Sequence, residues 1–468
     1  MFFRKKHFML LTILITIILL LTVKLNIKEE NIYKNISSSI NEENIKNIVE
    51  ELSSEKYNGR LIGTKGNKLA TDYIVDEFKR MGLKNPEGLK GYEQTYRQNV
   101  RFTNTSPKLL VLDNNDKIKR EYKYIEDFSV VTYNSLLSIK GEARGTGIVL
   151  KNVDELSKKR EKFEGKIILV PKELLKREGF REIGLSIIEN KLNVKGIIVE
   201  VDVEKKKNST FPVAPNAPPV DPFSDNGAIL FTTEEESFAE LVKSVEDKRE
   251  IYMHADYSIE NVKGSNVIGI IEGTDDSLKD EHVIIGAHFD HVGDNKDGSY
   301  NPGALDNASG TASMIEIAKT IMRNKIQPKK TIVFIAFNGE EEGLYGSYHY
   351  VENPLYTLNN KTVMINLDMV GSKRKVPLEV VSSDSRDIEI RDEFLRLGKE
   401  LGLRVKSGVS QGSDHVPFTD KGVKSVCLIN MDLESGYHTP VDTKDKVDEK
   451  RSKEISKLVL YYLDQSVY

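Results

Sequence analysis

Beyond residue 263 the chain alternates between two hydrophobic rhythms. Unbroken apolar runs, "SNVIGIIEG", "EHVIIGAHF", "KTIVFIAF", "KTVMINLDMVG" and "KSVCLINM", have the length and β-branched content of buried strands. Between them apolar residues return every three or four positions. After Asn307 this puts Met314, Ile317, Ala318 and Ile321 on one helical face, and similar stretches lie near 386–401 and 449–465. The alternation predicts an α/β fold with a mixed, largely parallel central sheet flanked by helices. Upstream, Ala70, Ile74, Phe78 and Met81 mark a further helix that Gly82 stops. From about 100 to 262 the texture changes to short runs such as "GTGIVL", "GKIILV" and "KGIIVEV" with a Pro-rich loop "FPVAPNAPPVDPF", which reads as a β-rich insert.

The amino terminus follows neither rhythm. Arg4, Lys5 and Lys6 precede seventeen residues without a formal charge, "HFMLLTILITIILLLTV". That length suits an N-terminal transmembrane helix, with the basic cluster inside and the bulk of the chain outside the cell membrane. The first glycine is Gly59 and the first alanine Ala70, so no small-residue cleavage site follows, and the segment reads as an uncleaved signal anchor. Cleavage at the serines of "NISSS" is the alternative and would give a secreted protein. The expected division is 1–27 cytoplasmic tip and anchor, 28–44 polar stalk, 45–100 first part of the α/β domain, 101–262 insert, and 263–468 the rest of the α/β domain.

Composition narrows the chemistry. A net charge of −4 over 468 residues gives no basic field for nucleic acid, so no nucleic-acid partner is expected. Cys427 is the single cysteine, which excludes an internal disulfide and a cysteine-ligated zinc cluster; its apolar surroundings make it a structural thiol. What remains are histidines and carboxylates, and they gather at predicted strand ends, where open α/β sheets bind ligands. "VIIGAH" ends at His288, "TIVFIAF" runs into Glu340 and Glu341, "TVMINLD" ends at Asp368, "GALDNASG" places Asp306 before a helix, and "GYHTPVD" supplies His438.

Nitrogen and oxygen donors without sulfur suit zinc. Two ions in a pair need one bridging carboxylate plus a histidine and a carboxylate each. Asp306 fits the bridge, His288 and Asp368 one ion, Glu341 and His438 the other, and Asp290 is placed to accept the second ring N–H of His288. In "FNGEEEGLYGS" the three adjacent glutamates then divide: Glu341 a ligand, Glu340 a general base for the attacking water, Glu342 solvated. His7, His254, His282 and His349 lack such a setting and default to surface or packing roles.

"AHFDHVG", "GALDNASG", "FNGEEEGLYGS", "NLDMVG", "GSDHVPF" and "GYHTPVD" together resemble the motif series of the two-zinc aminopeptidases, the family of secreted bacterial leucyl aminopeptidases and aminopeptidase Y. "NGRLIGTKGNKLATDYI" is similar to their amino-terminal segment, so the resemblance spans roughly 45–100 and 263–468. It implies a zinc-exopeptidase fold, two zinc ions on the five ligands named, Glu340 as base, Tyr437 hydrogen-bonding the oxyanion, and a cis peptide between Asp306 and Asn307. Through "FEGKIILV" and "VKGIIVEVD" the insert resembles a protease-associated domain. The function implied is a membrane-anchored, outward-facing aminopeptidase acting on peptides. The alternatives are a glutamate-carboxypeptidase-type exopeptidase, ranked second because only thirty residues follow His438, and a receptor or adhesion protein on an inactive peptidase fold, which the complete ligand set disfavours.

Overall fold

The computed structural model describes residues 36–130, 140–174, 192–201, 228–278 and 280–467. The expected signal anchor, the first part of the expected stalk and the Pro-rich loop lie outside these residues. Among the described residues no helix is long and apolar enough to cross a membrane.

The strands are β1 Glu93–Leu112, β2 Ile118–Tyr122, β3 Phe128–Val130, β4 Lys140–Val149, β5 Ile167–Val170, β6 Gly196–Glu200, β7 Ile229–Thr233, β8 Glu250–Ile271, β9 His282–His288, β10 Thr331–Phe337, β11 Val363–Asp368, β12 Leu378–Ser382, β13 Val405–Val409 and β14 Lys424–Ile429. The apolar runs form the part ordered β13-β12-β14-β11-β9-β10-β8. Within it β14, β11, β9 and β10 are parallel, and β12 and β8 pair antiparallel at either side. Alternate residues of these strands enter two cores. Ile285, Ala287, Ile332, Phe334 and Ala336 face the helices Glu42–Leu52, Lys65–Met81, Ser309–Asn324 and Glu449–Ser466. Ile284, Val333, Ile335 and Phe337 face the other side with Tyr350 and Phe418. Strands covered on both faces need apolar residues at every position, which is why the runs are unbroken. Each isoleucine, valine or phenylalanine among them contributes roughly 1.5–3 kcal/mol on full burial. The helix stop expected at Gly82 is a left-handed cap, φ +81°, after Lys65–Met81, whose amino end is capped by the Thr64 side chain.

Two expected boundaries move. Residues 36–44 are packed on the α/β core rather than extended as a stalk: Ile36 and Ile40 are buried, and the side chain of Glu316 accepts from the Asn41 amide at 2.9 Å. Ile36 and Ile40 join Ile45 and Ile48 of the helix Glu42–Leu52 in the core, an apolar set inside a polar-looking segment. The insert also has no linker at its edges. β1 and β8 pair from Glu93↔Val267 to Leu112↔Glu250, with register shifts between Thr103 and Lys108, so 101 and 262 fall inside strands. β8 belongs to the central sheet at its carboxyl end and to the β-rich segment at its amino end, where β4 pairs with it and β5, β6, β7 and β3 follow. That segment has its own cores, one around Leu109, Ile167 and Met253, the other around Leu150, Phe163 and Val170.

Candidate metal centre

Parallel β9, β10, β11 and β14 end at one edge, and the expected ligands leave the chain there. His288 and Asp368 are the last residues of β9 and β11; Glu340 and Glu341 follow the end of β10 closely. Asp306 stands in the turn before Ser309–Asn324, and its peptide bond to Asn307 is cis. His288 Nε2 lies 3.4 Å from Asp306 Oδ1 and 3.5 Å from Asp368 Oδ1. His438 Nε2 lies 3.2 Å from Asp306 Oδ2 and 2.8 Å from Glu341 Oε2. The two oxygens of Asp306 thus face different imidazoles, the arrangement a bridging carboxylate requires.

The surrounding chain holds this turn from several sides. The Leu305 and Asp306 amides donate to the two oxygens of Asp442 at 2.9 and 3.0 Å. Asn307 Oδ1 accepts from the Gly310 and Met369 amides while its Nδ2 donates to the Leu367 carbonyl, fastening the turn to the end of β11. The Arg60 guanidinium, fully buried, donates to the carbonyls of Leu52, Phe289, Pro302 and Gly303. Gly59 makes this possible: at φ +74°, a Cβ there would sit 2.4 Å from the Gly293 carbonyl oxygen.

The donor set fits zinc. Two ligands bound at about 2.0–2.1 Å in a tetrahedral shell lie roughly 3.3 Å apart, close to the separations around His288. Asp306 Oδ2 and Asp368 Oδ1 are buried and have no hydrogen-bond partner among the described residues. Buried polar atoms left so call for a water, an ion or a catalytic role to account for them. Burial works against charging His438, yet Glu341 and Asp306 outweigh it and lift the ring to about 10. Burial would raise Glu341, but His438 and His291 hold it well below the usual carboxylate range. Glu340 goes the other way. Burial pushes it well up, His288 opposes this, and Glu341, Asp414 and Asp368 add to it. Tyr437, stacked on His438 at 3.7 Å between ring centres, is kept protonated by burial and by Asp306 and Glu341.

Two expected roles differ. Asp290 Oδ1 stands 3.8 Å from His288 Nδ1, beyond hydrogen-bond length. Its oxygens instead accept the amides of Glu340 and Glu341 at 3.2 and 3.3 Å, so it fixes the backbone of the glutamate pair. Glu342 is not solvated: it is 4% exposed, and its Oε1 is 3.7 Å from Arg101 Nη2. Burial pushes its carboxyl up to about 7 against the pull of Arg101. The long β1 brings Arg101 over the loop, and sequence spacing carries no trace of that approach. Arg101, Tyr124, Tyr257, Asn301, Glu342 and His438 line a cleft where the β-rich segment meets the metal edge. His291, Asp442 and Arg60 were not singled out by sequence reasoning. Each nevertheless lies inside a quoted motif, His291 in "AHFDHVG", Asp442 at the end of "GYHTPVD" and Arg60 in "NGRLIGTKGNKLATDYI".

Comparison with known proteins relates the chain to described peptidases. The sequence model of peptidase family M28 matches residues 266–463. Aminopeptidase YwaD of Bacillus subtilis (strain 168) is 33% identical over 209 residues, covering 42% of this chain and 44% of that protein. A probable glutamate carboxypeptidase of Zea mays, VP8, is 29% identical over 196 residues, covering 38% of this chain and 26% of the relative. The chain thus spans less than half the length of these curated relatives. Among solved structures, the aminopeptidase from Aneurinibacillus sp. strain AM-1 superposes with a TM-score of 0.63 at 21% identity, covering 93% of this chain and 96% of that one. BSAP, a zinc aminopeptidase from Bacillus subtilis, gives 0.63 at 21% identity over 92% and 96%. These likenesses establish a shared fold, and residues 266–463 are the segment in which this chain is similar to peptidase family M28.

Proposed function

We propose that this protein is a two-zinc aminopeptidase, anchored in the cell membrane by its amino-terminal segment, which removes amino-terminal residues from peptides outside the cell. The observation that carries this reading is Asp306, whose two oxygens face His288 and His438 in a buried cluster completed by Asp368 and Glu341. His288, Asp306 and Asp368 would hold one ion, and His438, Glu341 and Asp306 the other. Zinc at such sites supplies Lewis acidity and lowers the pKa of water.

The side chains do the rest. Glu340, partly buried with an oxygen 3.9 Å from His288 Nε2, takes a proton from the attacking water and passes it to the leaving amine. Its burial and acidic neighbours raise its proton affinity, and two dications would act against that rise. Tyr437 donates its phenolic hydrogen to the developing oxyanion, a contribution typically of about 3–4 kcal/mol. Asp290 holds Glu340 and Glu341 in register through their amides. The peptide reaches the metal edge beside the β-rich segment, read as protease-associated-like, whose Tyr124 and Tyr257 line a narrow cleft next to His438.

The glutamate carboxypeptidase relatives support a second reading, cleavage from the carboxyl end. Full-length protein in detergent, assayed on amino-acid p-nitroanilides and on peptides blocked at one end or the other, separates the two. Hydrolysis that needs a free amino terminus, stops with chelator and returns with zinc is expected. Cleavage of amino-blocked peptides with a free carboxyl end would favour the second reading, and no cleavage of either set would refute both.

A further inference from the structure

His291 lies three residues beyond His288 and is fully buried against the second half of the metal cluster. Its Nδ1 is 2.8 Å from Glu341 Oε1, while the other oxygen of Glu341 faces His438. The ring is edge-on to His438, centres 5.4 Å apart, and a Cβ added at Gly303 would fall 2.5 Å from its Cγ, so the backbone of Gly303 leaves it no room to turn. Its Nε2 is buried with no hydrogen-bond partner among the described residues.

Two roles fit a nitrogen in this place, and the orphaned Nε2 separates them. If Nδ1 bound an ion, the proton would sit on Nε2 as a buried N–H with no acceptor, costing about 1–3 kcal/mol. If Nδ1 carries the proton, it donates to Glu341 and leaves only a bare acceptor at Nε2, which buried protein tolerates better. The distance to Asp306 Oδ2, 3.9 Å against 3.2 Å for His438, also leaves His291 off the centre on which the other donors converge.

We infer that His291 is a positioning residue for the second metal site: its Nδ1–H binds Glu341 Oε1, which would leave the oxygen facing His438 to hold an ion. This rests on the two-zinc reading above. Hydrogen-bonded partners of metal ligands typically contribute about 10–100-fold in metal affinity. The effect falls on the site of Glu341 and His438 and spares that of His288 and Asp368.

The test is zinc competition against a chromophoric chelator on full-length wild type, His291→Ala, His291→Asn and His291→Gln, with the visible spectrum of the cobalt-loaded forms. His291→Ala is expected to weaken one of the two equivalents about 10–100-fold and leave the other unchanged. The Asn amide nitrogen occupies the position of Nδ1 and should restore most of the loss; the Gln amide reaches the position of Nε2 and should not. At saturating cobalt, wild type and His291→Asn should share the same absorption bands. Two tight equivalents in His291→Ala would overturn the inference. So would failure of Asn to restore binding together with altered cobalt bands, which would make His291 a ligand. Because metal binding is read rather than turnover, a protein that cleaved no peptide but held two ions would leave this inference standing and the proposed activity refuted.

Discussion

Replacing Arg60 by methionine tests how the metal turns are held. The guanidinium makes four hydrogen bonds, Nε to Phe289 at 2.7 Å, Nη1 to Leu52 and Pro302 at 2.6 Å each, and Nη2 to Gly303 at 2.8 Å. Burial lowers its pKa to about 10, while Asp442, Asp290, Asp306 and Glu341 oppose this, so it stays charged at neutral pH. Methionine fills most of the volume but orphans three buried carbonyls, since that of Gly303 keeps the Ala308 amide at 3.2 Å. At about 1 kcal/mol each, the low end of the desolvation penalty, the loss is about 3 kcal/mol. Relief from burying a guanidinium offsets part of this, and the carboxylates that lose their cation add to it. A net loss of about 3–5 kcal/mol is expected in urea unfolding of chelator-treated protein. Zinc affinity should fall at both sites, because Phe289 adjoins His288 and Gly303 opens the turn that carries Asp306. Arg60→Lys, a compact ammonium with three donors, should recover less than half. If Arg60→Met unfolded within about 1 kcal/mol of wild type and bound zinc normally, the clamp described here would be wrong.

The glutamate pair and one remote histidine give further outcomes. Glu340→Gln should keep both zinc equivalents and lose about 10²–10⁴-fold in turnover, whereas Glu341→Gln should release one equivalent in a chelator titration; normal turnover in Glu340→Gln would remove it as the base. His282, buried at the start of β9 beside Tyr356, has its pKa lowered from 6.5 to about 4 by burial, with Asp280 opposing weakly. The unfolded chain takes up this proton near 6.5 and the folded one only near 4, so stability present above 6.5 is lost as pH falls between them, by about 3 kcal/mol. Chelator-treated His282→Phe should lack that loss, and parallel urea-unfolding curves for the two proteins from pH 7 to 4 would disprove the assignment.

Much of this protein was determined by local pattern. Unbroken runs in β9, β10 and β11 meant strands covered on both faces, and the stripe of Met314, Ile317 and Ile321 meant a helix on one of them. Because parallel strands release their ends on one edge, the same pattern placed His288, Glu340, Glu341, Asp368, Asp306 and His438 near one another. Contacts between segments far apart in the chain could not be read this way. Glu342 looks solvated in "EEEG" and is buried because β1, some 240 residues earlier, lays Arg101 across it. Asp290 looks like a partner for His288 and instead meets two amides of the loop after β10. Arg60 carries no mark of its four carbonyls, since backbone acceptors have no sequence identity. Periodicity records which side of a strand or helix is buried; which buried polar group meets which is settled only when loops close in space, by distance and hydrogen-bond geometry that the order of residues does not encode.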